Sequence, residues 1–222
     1  MLQEEYVSDA VELLKKLIAT PSVSRNEKEA ADIMEQTIRS YGFEPQREAN
    51  NIWIIDPHYD ESRPTLLLNA HIDTVKPVAS WTRDPFSPDV EDGVLYGLGS
   101  NDCGGGLCSL LQIFRMLTEK PQRYNLIYLA SAEEEVSGKD GITRALPLLP
   151  HIDLAIVGEP TGMKPFGSPT LSDQALMHFP SFKLGPGESS RSHSADEFIR
   201  ISEIRDAIAK YETLLDGADL LY

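Results

Sequence analysis

Residues 65–73, Thr65-Leu66-Leu67-Leu68-Asn69-Ala70-His71-Ile72-Asp73, decide the fold. An apolar run without polar alternation reads as a strand buried on both faces, the place of a central strand in a sheet covered by helices. It runs straight into His71 and Asp73. Two further segments repeat the arrangement. Asn125–Ala130 (NLIYLA) leads into Glu133-Glu134-Glu135, and Ile152–Val157 (IDLAIV) leads into Gly158-Glu159-Pro160. Sites in open α/β sheets gather beyond the carboxyl ends of the strands, so the three polar clusters are expected to converge.

Around these strands the pattern alternates with helices, as in an α/β domain. Ala10–Ala19 has helical apolar spacing and stops before Pro21. Ser24-Arg25-Asn26-Glu27 reads as a capping box opening a helix that runs to Tyr41, with Gly42 as terminator. Asn51–Ile55 reads as a strand. Asp92-Gly93 marks a hairpin after a long loop, Leu107–Leu117 a helix behind Gly104–Gly106, and Phe182–Leu184 a strand after a short helix near Ala175. Ser194-Ala195-Asp196-Glu197 reads as a second capping box, followed by apolar residues at helical spacing from Ile201 to Leu215.

The 222 residues suffice for one large domain or two small ones. Twenty Lys and Arg stand against 35 Asp and Glu, a net charge of −15. Nucleic acid and anionic membrane would both repel such a surface, so neither is expected as a partner. No stretch approaches the roughly 18 apolar residues of a membrane span. Met1–Tyr6 carries two Glu and no basic segment, unlike a secretory signal. Cys103 and Cys108 form neither a Cys-x-x-Cys pair nor a disulfide framework, which points to free thiols in a reducing cytoplasm.

His71 and Asp73 at a strand end suit a metal-binding imidazole whose other nitrogen is held by a carboxylate; the same pair also fits a turn-forming Asp after an ordinary His. Three adjacent glutamates fit a solvated acidic turn. Directly behind a buried strand, they also fit a division of labour between metal ligand and general base. Asp102 precedes a glycine-rich approach to a helix, where backbone can pass close to a ligand. Cys103 beside it reads as a small buried residue or a thiolate ligand. His193 reads as a loop histidine, and His58, His151 and His178 as surface or structural. Gly97-x-Gly99 has its third glycine out of register for a dinucleotide site, and no Gly-x-Ser-x-Gly elbow supports a serine nucleophile.

Taken in order, Asn69–Val75, Tyr96–Asp102, Ala132–Glu135, Gly158–Thr161 and His193 resemble the motifs of the dinuclear zinc amidohydrolase and metallopeptidase family. That family contains acetylornithine deacetylase, succinyl-diaminopimelate desuccinylase, aminoacylase and carboxypeptidase G. The chain looks closest to the acetylornithine branch, including its succinylornithine variants. The resemblance implies a three-layer zinc-peptidase-like α/β domain with a mostly parallel or mixed central sheet flanked by helices. It also implies two zinc ions, with cobalt or manganese as substitutes. His71, Asp102 and Glu159 would hold one ion and Asp102, Glu135 and His193 the other. Glu134 would be the general base, and Asp73 would orient His71. The implied reaction is amide hydrolysis of a small N-acyl amino acid of the N-acetyl- or N-succinyl-ornithine type, in arginine biosynthesis.

Longer members of that family insert a lid-like dimerisation domain after Gly-Glu-Pro-Thr. Here 34 positions separate Glu159 from His193, fewer than the roughly 50 residues of a small domain. Residues 1–222 are therefore expected to form a single catalytic domain without its lid, with a seam near 162–166. Such a chain is expected to be monomeric or weakly associating and its deacylation weakened. A lid-less zinc aminopeptidase and a catalytically inert zinc-binding domain are the alternative readings.

Overall fold

Side-chain alternation along the three apolar strands builds two cores, one on each face of a sheet. Leu66, Leu68 and Ala70 enter one core together with Leu126, Tyr128, Ala130 and Ile156. Leu67 enters the other with Ile127, Leu129, Ala155 and Val157. This is why the runs lack polar alternation: both faces are covered. Fully burying each of these leucines contributes roughly 1.5–3 kcal/mol.

The structure is a computed structural model describing residues 2–167 and 172–220. In chain order the elements are α1 (Leu2–Ile18), α2 (Lys28–Ser40), β1 (Gln46–Glu48), β2 (Asn51–Ile55), β3 (Thr65–His71), β4 (Val90–Glu91), β5 (Val94–Tyr96), α3 (Gly105–Leu117), β6 (Asn125–Ser131), α4 (Ile142–Ala145), β7 (Leu154–Val157), β8 (Ser181–Lys183), β9 (Phe198–Arg200) and α5 (Ile201–Leu215). A six-stranded mixed sheet has the order β1-β2-β6-β3-β7-β8. β6, β3, β7 and β8 run parallel, while β1 and β2 are antiparallel additions. Helices α1, α3 and α5 pack on one face, with α2 beside β2, and α4 lies on the other. This is the three-layer α/β arrangement expected. No helix among the described residues is long and apolar enough to cross a membrane.

A smaller sheet, β4-β5-β9, is what brings the last third of the chain back to the strand ends. β5 pairs antiparallel with β9, Leu95 opposite Ile199. The Glu197 carbonyl just before β9 accepts from the Gly97 N–H at 3.0 Å.

Several element boundaries differ from expectation. The first helix begins at Leu2 rather than Ala10. Neither capping box forms. α2 starts at Lys28, and the Ser24 hydroxyl donates instead to the Asp73 carboxylate at 2.7 Å. α5 starts only at Ile201, while Ser194 donates to the Arg191 carbonyl and Asp196 accepts from the Thr82 and Arg83 N–H groups. Ser24 and Asp196 found tertiary partners, and Ser194 a local carbonyl, before the helix began. Between Glu159 and His193 the described residues hold turns, β8 and two single-turn helices, Asp173–Leu176 and Ser189–Arg191. Residues 168–171 lie outside the described residues.

Candidate metal centre

Parallel register sets the site. His71 stands opposite Ser131 across β3–β6, and Asn69 opposite Val157 across β3–β7, so the three strands end side by side. Their polar exits therefore share one edge. The helix behind them reaches that edge because Gly106, in the first turn of α3, has no side chain; a Cβ there would run into the Gly158 carbonyl.

Asp102 sits at the middle of the cluster. Its Oδ1 lies 3.4 Å from His71 Nε2 and its Oδ2 3.4 Å from His193 Nε2. On the His71 side, Glu159 Oε1 and Glu134 Oε2 lie 3.9 and 4.0 Å from the same imidazole nitrogen. On the other side, Glu135 Oε1 lies 2.9 Å from His193 Nε2. The five residues expected as ligands and the expected base are thus all brought together. His71 is buried, whereas the His193 side chain is 51% exposed and faces the open cleft.

Asp73 is also at the site, but its carboxylate works differently from expectation. His71 Nδ1 lies 2.8 Å from the Asp73 backbone carbonyl and 3.6 Å from its carboxylate. The carboxylate accepts from the Ser24 hydroxyl and from the backbone N–H groups of Glu134 (3.0 Å) and Glu135 (3.2 Å). One residue therefore orients His71 through its backbone and the glutamate turn through its side chain.

The three glutamates separate because Glu133 takes a left-handed conformation, φ +53°. Its N–H donates to the buried Glu27 carboxylate at 3.0 Å, and its own carboxylate accepts from the Asp140 N–H at 3.4 Å, away from the cluster. Glu134 and Glu135 are left facing His71 and His193. Cys103 is buried, joined to Asp102 by a cis peptide, with its Sγ 3.3 Å from the His71 N–H. Burial pushes its thiol up to about 12, and its Sγ lies within 4.8 Å of ligand atoms of His71 and Glu159, so the geometry keeps both readings of Cys103. His58, His151 and His178 are exposed on the surface.

Two site-supporting residues lacked a sequence signal of their own. Glu197, almost fully buried, accepts from the Asn101 and Asp102 N–H groups, both at 2.9 Å. Asp173, also buried, accepts from the Ser131 hydroxyl. Burial raises Glu197 to about 7 and Asp173 to about 6.

The electrostatics are those of a buried cluster of acidic groups around one imidazole. Burial raises Glu134 to about 8; the His71 ring opposes the rise and the Glu159 charge adds to it. Burial likewise raises Glu159 to about 7, against His71 and with Asp102. Burial also raises Glu135. Burial works against ionisation of Asp102, yet the hydrogen bond and charge of His71 hold it below the usual carboxylate range. Glu159 Oε1 is buried without a hydrogen-bond partner, a costly state that a cation would relieve. His71, Asp102 and Glu135 each offer a ligand atom, all within 4.8 Å of one another. Carboxylate and imidazole donors in this number fit divalent zinc, cobalt or manganese.

Comparison with known proteins agrees with this geometry. Residues 67–168 match the model of peptidase family M20/M25/M40. Succinyl-diaminopimelate desuccinylase of Blochmanniella floridana is 32% identical over 174 residues, covering 72% of this chain and 45% of that protein. The chain spans about half the length of the curated relatives it matches. Among solved structures, an M20 family metallo-carboxypeptidase from Sulfolobus solfataricus superposes with TM-score 0.59 at 22% identity, covering 71% of this chain and 39% of that one. An aminopeptidase from Desulfurococcus kamchatkensis superposes with TM-score 0.72 at 12% identity, covering 98% of this chain and 96% of that one. At these identities the two structures speak for the fold. The segment 67–168 contains His71, Asp102, Glu134, Glu135 and Glu159, and through it the chain carries a domain of peptidase family M20/M25/M40.

Proposed function

We propose that the chain is the catalytic part of a two-metal amidohydrolase that cleaves the amide bond of an N-acyl amino acid. The observation that carries this reading is Asp102, whose two carboxylate oxygens each stand 3.4 Å from a different histidine, as a bridging ligand would. His71 and Glu159 would complete one site, Glu135 and His193 the other. Zinc ions bound there would supply Lewis acidity for the amide carbonyl and lower the pKa of water.

Glu134 is the proton carrier. Its carboxylate, adjacent to His71 and free of a ligand role, takes the proton of the attacking water and returns it to the departing nitrogen. Asp73 fixes the Glu134 backbone and the His71 ring, so base and ligand keep their relative position.

The leading substrate is an N-succinyl amino acid. The matched relatives are named for succinyl-diaminopimelate, and N-acetyl- and N-succinyl-ornithine are the further substrates to compare. The two cysteines are free and buried, which supports a reducing compartment. The segment between Glu159 and His193 lacks room for the lid that the resemblance implies. A missing oxyanion donor costs on the order of 10²–10³ in turnover, so slow hydrolysis is the expected rate regime.

The test is amine release by the zinc- or cobalt-loaded chain on N-succinyl-diaminopimelate, N-succinyl-ornithine, N-acetyl-ornithine and leucine anilide, beside Glu134→Gln. Release from an N-acyl compound that Glu134→Gln abolishes supports the proposal. Leucine anilide turnover alone would make the chain an aminopeptidase. Metal binding without any turnover would make it an inert metal-binding domain.

A further inference from the structure

Beside the carboxylate cluster lies a cleft of about 600 Å³, a size suited to a small-molecule substrate. Its charged lining has two parts. Asp102, Glu159 and His193 belong to the cluster already described; Lys164 and Lys183 do not. The lysines come from segments joined at the sheet edge, where Phe166 and Lys183 exchange backbone hydrogen bonds of 3.0 and 2.8 Å. Lys164 stands two residues before that bridge, in a turn closed by its own N–H to the Thr161 carbonyl.

The two ammonium groups differ in setting. Lys183 is only 8% exposed, a rare state for lysine, lines the cleft beside Glu159, and has a partner of its own in the fold. Lys164 is exposed and forms no ion pair among the described residues. In a chain of net charge −15, two cations on one cleft wall are a local inversion of sign. Metal bound by the cluster's carboxylates would weaken their pull on that wall and shift its potential in favour of an anion. Ser189 and Ser192 line the same cleft and offer hydroxyl donors.

We propose that Lys164 and Lys183 form a subsite for a substrate carboxylate remote from the scissile amide bond. The subsite selects N-acyl amino acids with a free carboxylate over the corresponding carboxamides. This rests on the amidohydrolase reading above, and it places carboxylate recognition on the catalytic domain itself. The carboxylate is that of a dicarboxylic acyl arm or the α-carboxylate of the amino acid.

The test uses the zinc-loaded chain with Glu134→Gln, so that ligands bind without turnover. Affinity is measured calorimetrically for N-succinyl-ornithine, N-acetyl-ornithine and N-acetyl-ornithinamide, with and without Lys164→Met and Lys183→Met, and zinc content is read on each sample. The expected result is a loss of about 10-fold or more for at least one acid in the double variant, with the amide and the zinc content unchanged. A loss confined to the succinyl compound assigns the acyl arm, and equal loss for both acids assigns the α-carboxylate. Unchanged affinity for both acids overturns the subsite. So does an equal loss that includes the amide, or a fall in zinc content, since Lys183 would then serve only to balance Glu159. Hydrolysis by the unmodified chain is followed in parallel. Lysine-dependent acid binding without hydrolysis would refute the reaction and leave the subsite standing; hydrolysis without lysine dependence would do the reverse.

Discussion

Replacing Glu197 probes how the metal centre is held rather than how it reacts. Its buried carboxylate accepts from the N–H groups of Asn101 and Asp102 at 2.9 Å each, and so fixes the turn that carries the residue between the two histidines. Glu197→Ala removes both acceptors and leaves two amides without partners inside the fold. Each unsatisfied group costs about 1–3 kcal/mol, offset in part by the burial cost of the carboxylate that is no longer incurred. A net loss of about 3 kcal/mol corresponds to a fall in Tm of about 6 °C, at an unfolding entropy of about 2.1 cal/mol/K per residue. Because the displaced turn carries Asp102, zinc affinity should fall about 10- to 100-fold as well. Glu197→Gln keeps a side-chain oxygen in place and should recover most of both quantities. Thermal unfolding by circular dichroism and zinc titration against a chelator read the two effects. An alanine variant with wild-type Tm and zinc affinity would refute the reasoning, and a glutamine variant as damaged as alanine would show that acceptance of the two N–H groups is not the role.

Asp173 offers a pH test. Burial raises its carboxyl to about 6, so the native state holds the proton more tightly than the unfolded chain. Its contribution to stability is full at low pH and is lost as pH climbs from about 4 to 6. Asp173→Asn removes that loss, so the Tm difference between variant and wild type should shift in favour of the variant across that interval and stay constant above it; parallel Tm curves would contradict the assignment. His193→Ala should lower bound zinc from about two ions to about one per chain by elemental analysis, and retention of two would remove His193 from the ligand set. Gly106→Ala forces a Cβ onto the Gly158 carbonyl and should lower both Tm and zinc content by displacing Glu159; an unaffected variant would show that α3 can shift away.

Much of this architecture is legible in the sequence because it rests on local rules. The runs at 65–70, 125–130 and 152–157 are apolar on both faces, and strands of that kind have one place to go, the covered middle of a sheet. Their exits, His71, Glu134, Glu135 and Glu159, follow from where such strands end. Asp102 and His193 carry no comparable local signal. The glycine-rich stretch drew attention to Asp102, but only the resemblance of ordered motifs gave either residue a ligand role, because their positions depend on a turn and on the β5–β9 pairing, which join distant segments.

Which N–H and O–H groups the buried acidic residues accept from was decided by tertiary structure. Ser24 to Glu27 and Ser194 to Glu197 have the spacing of capping boxes, yet Ser24 meets Asp73, Glu27 meets the Glu133 N–H, and Glu197 meets the turn before α3. Asp73, two residues from His71, spends its carboxylate on the glutamate turn. A carboxylate in a buried loop accepts from whichever N–H groups packing brings within about 3 Å. Sequence spacing defines those neighbours inside a helix or along a strand, where the backbone repeats. In loops between elements the neighbours are chosen by how the sheets and helices dock, and that choice exists only once the chain has folded.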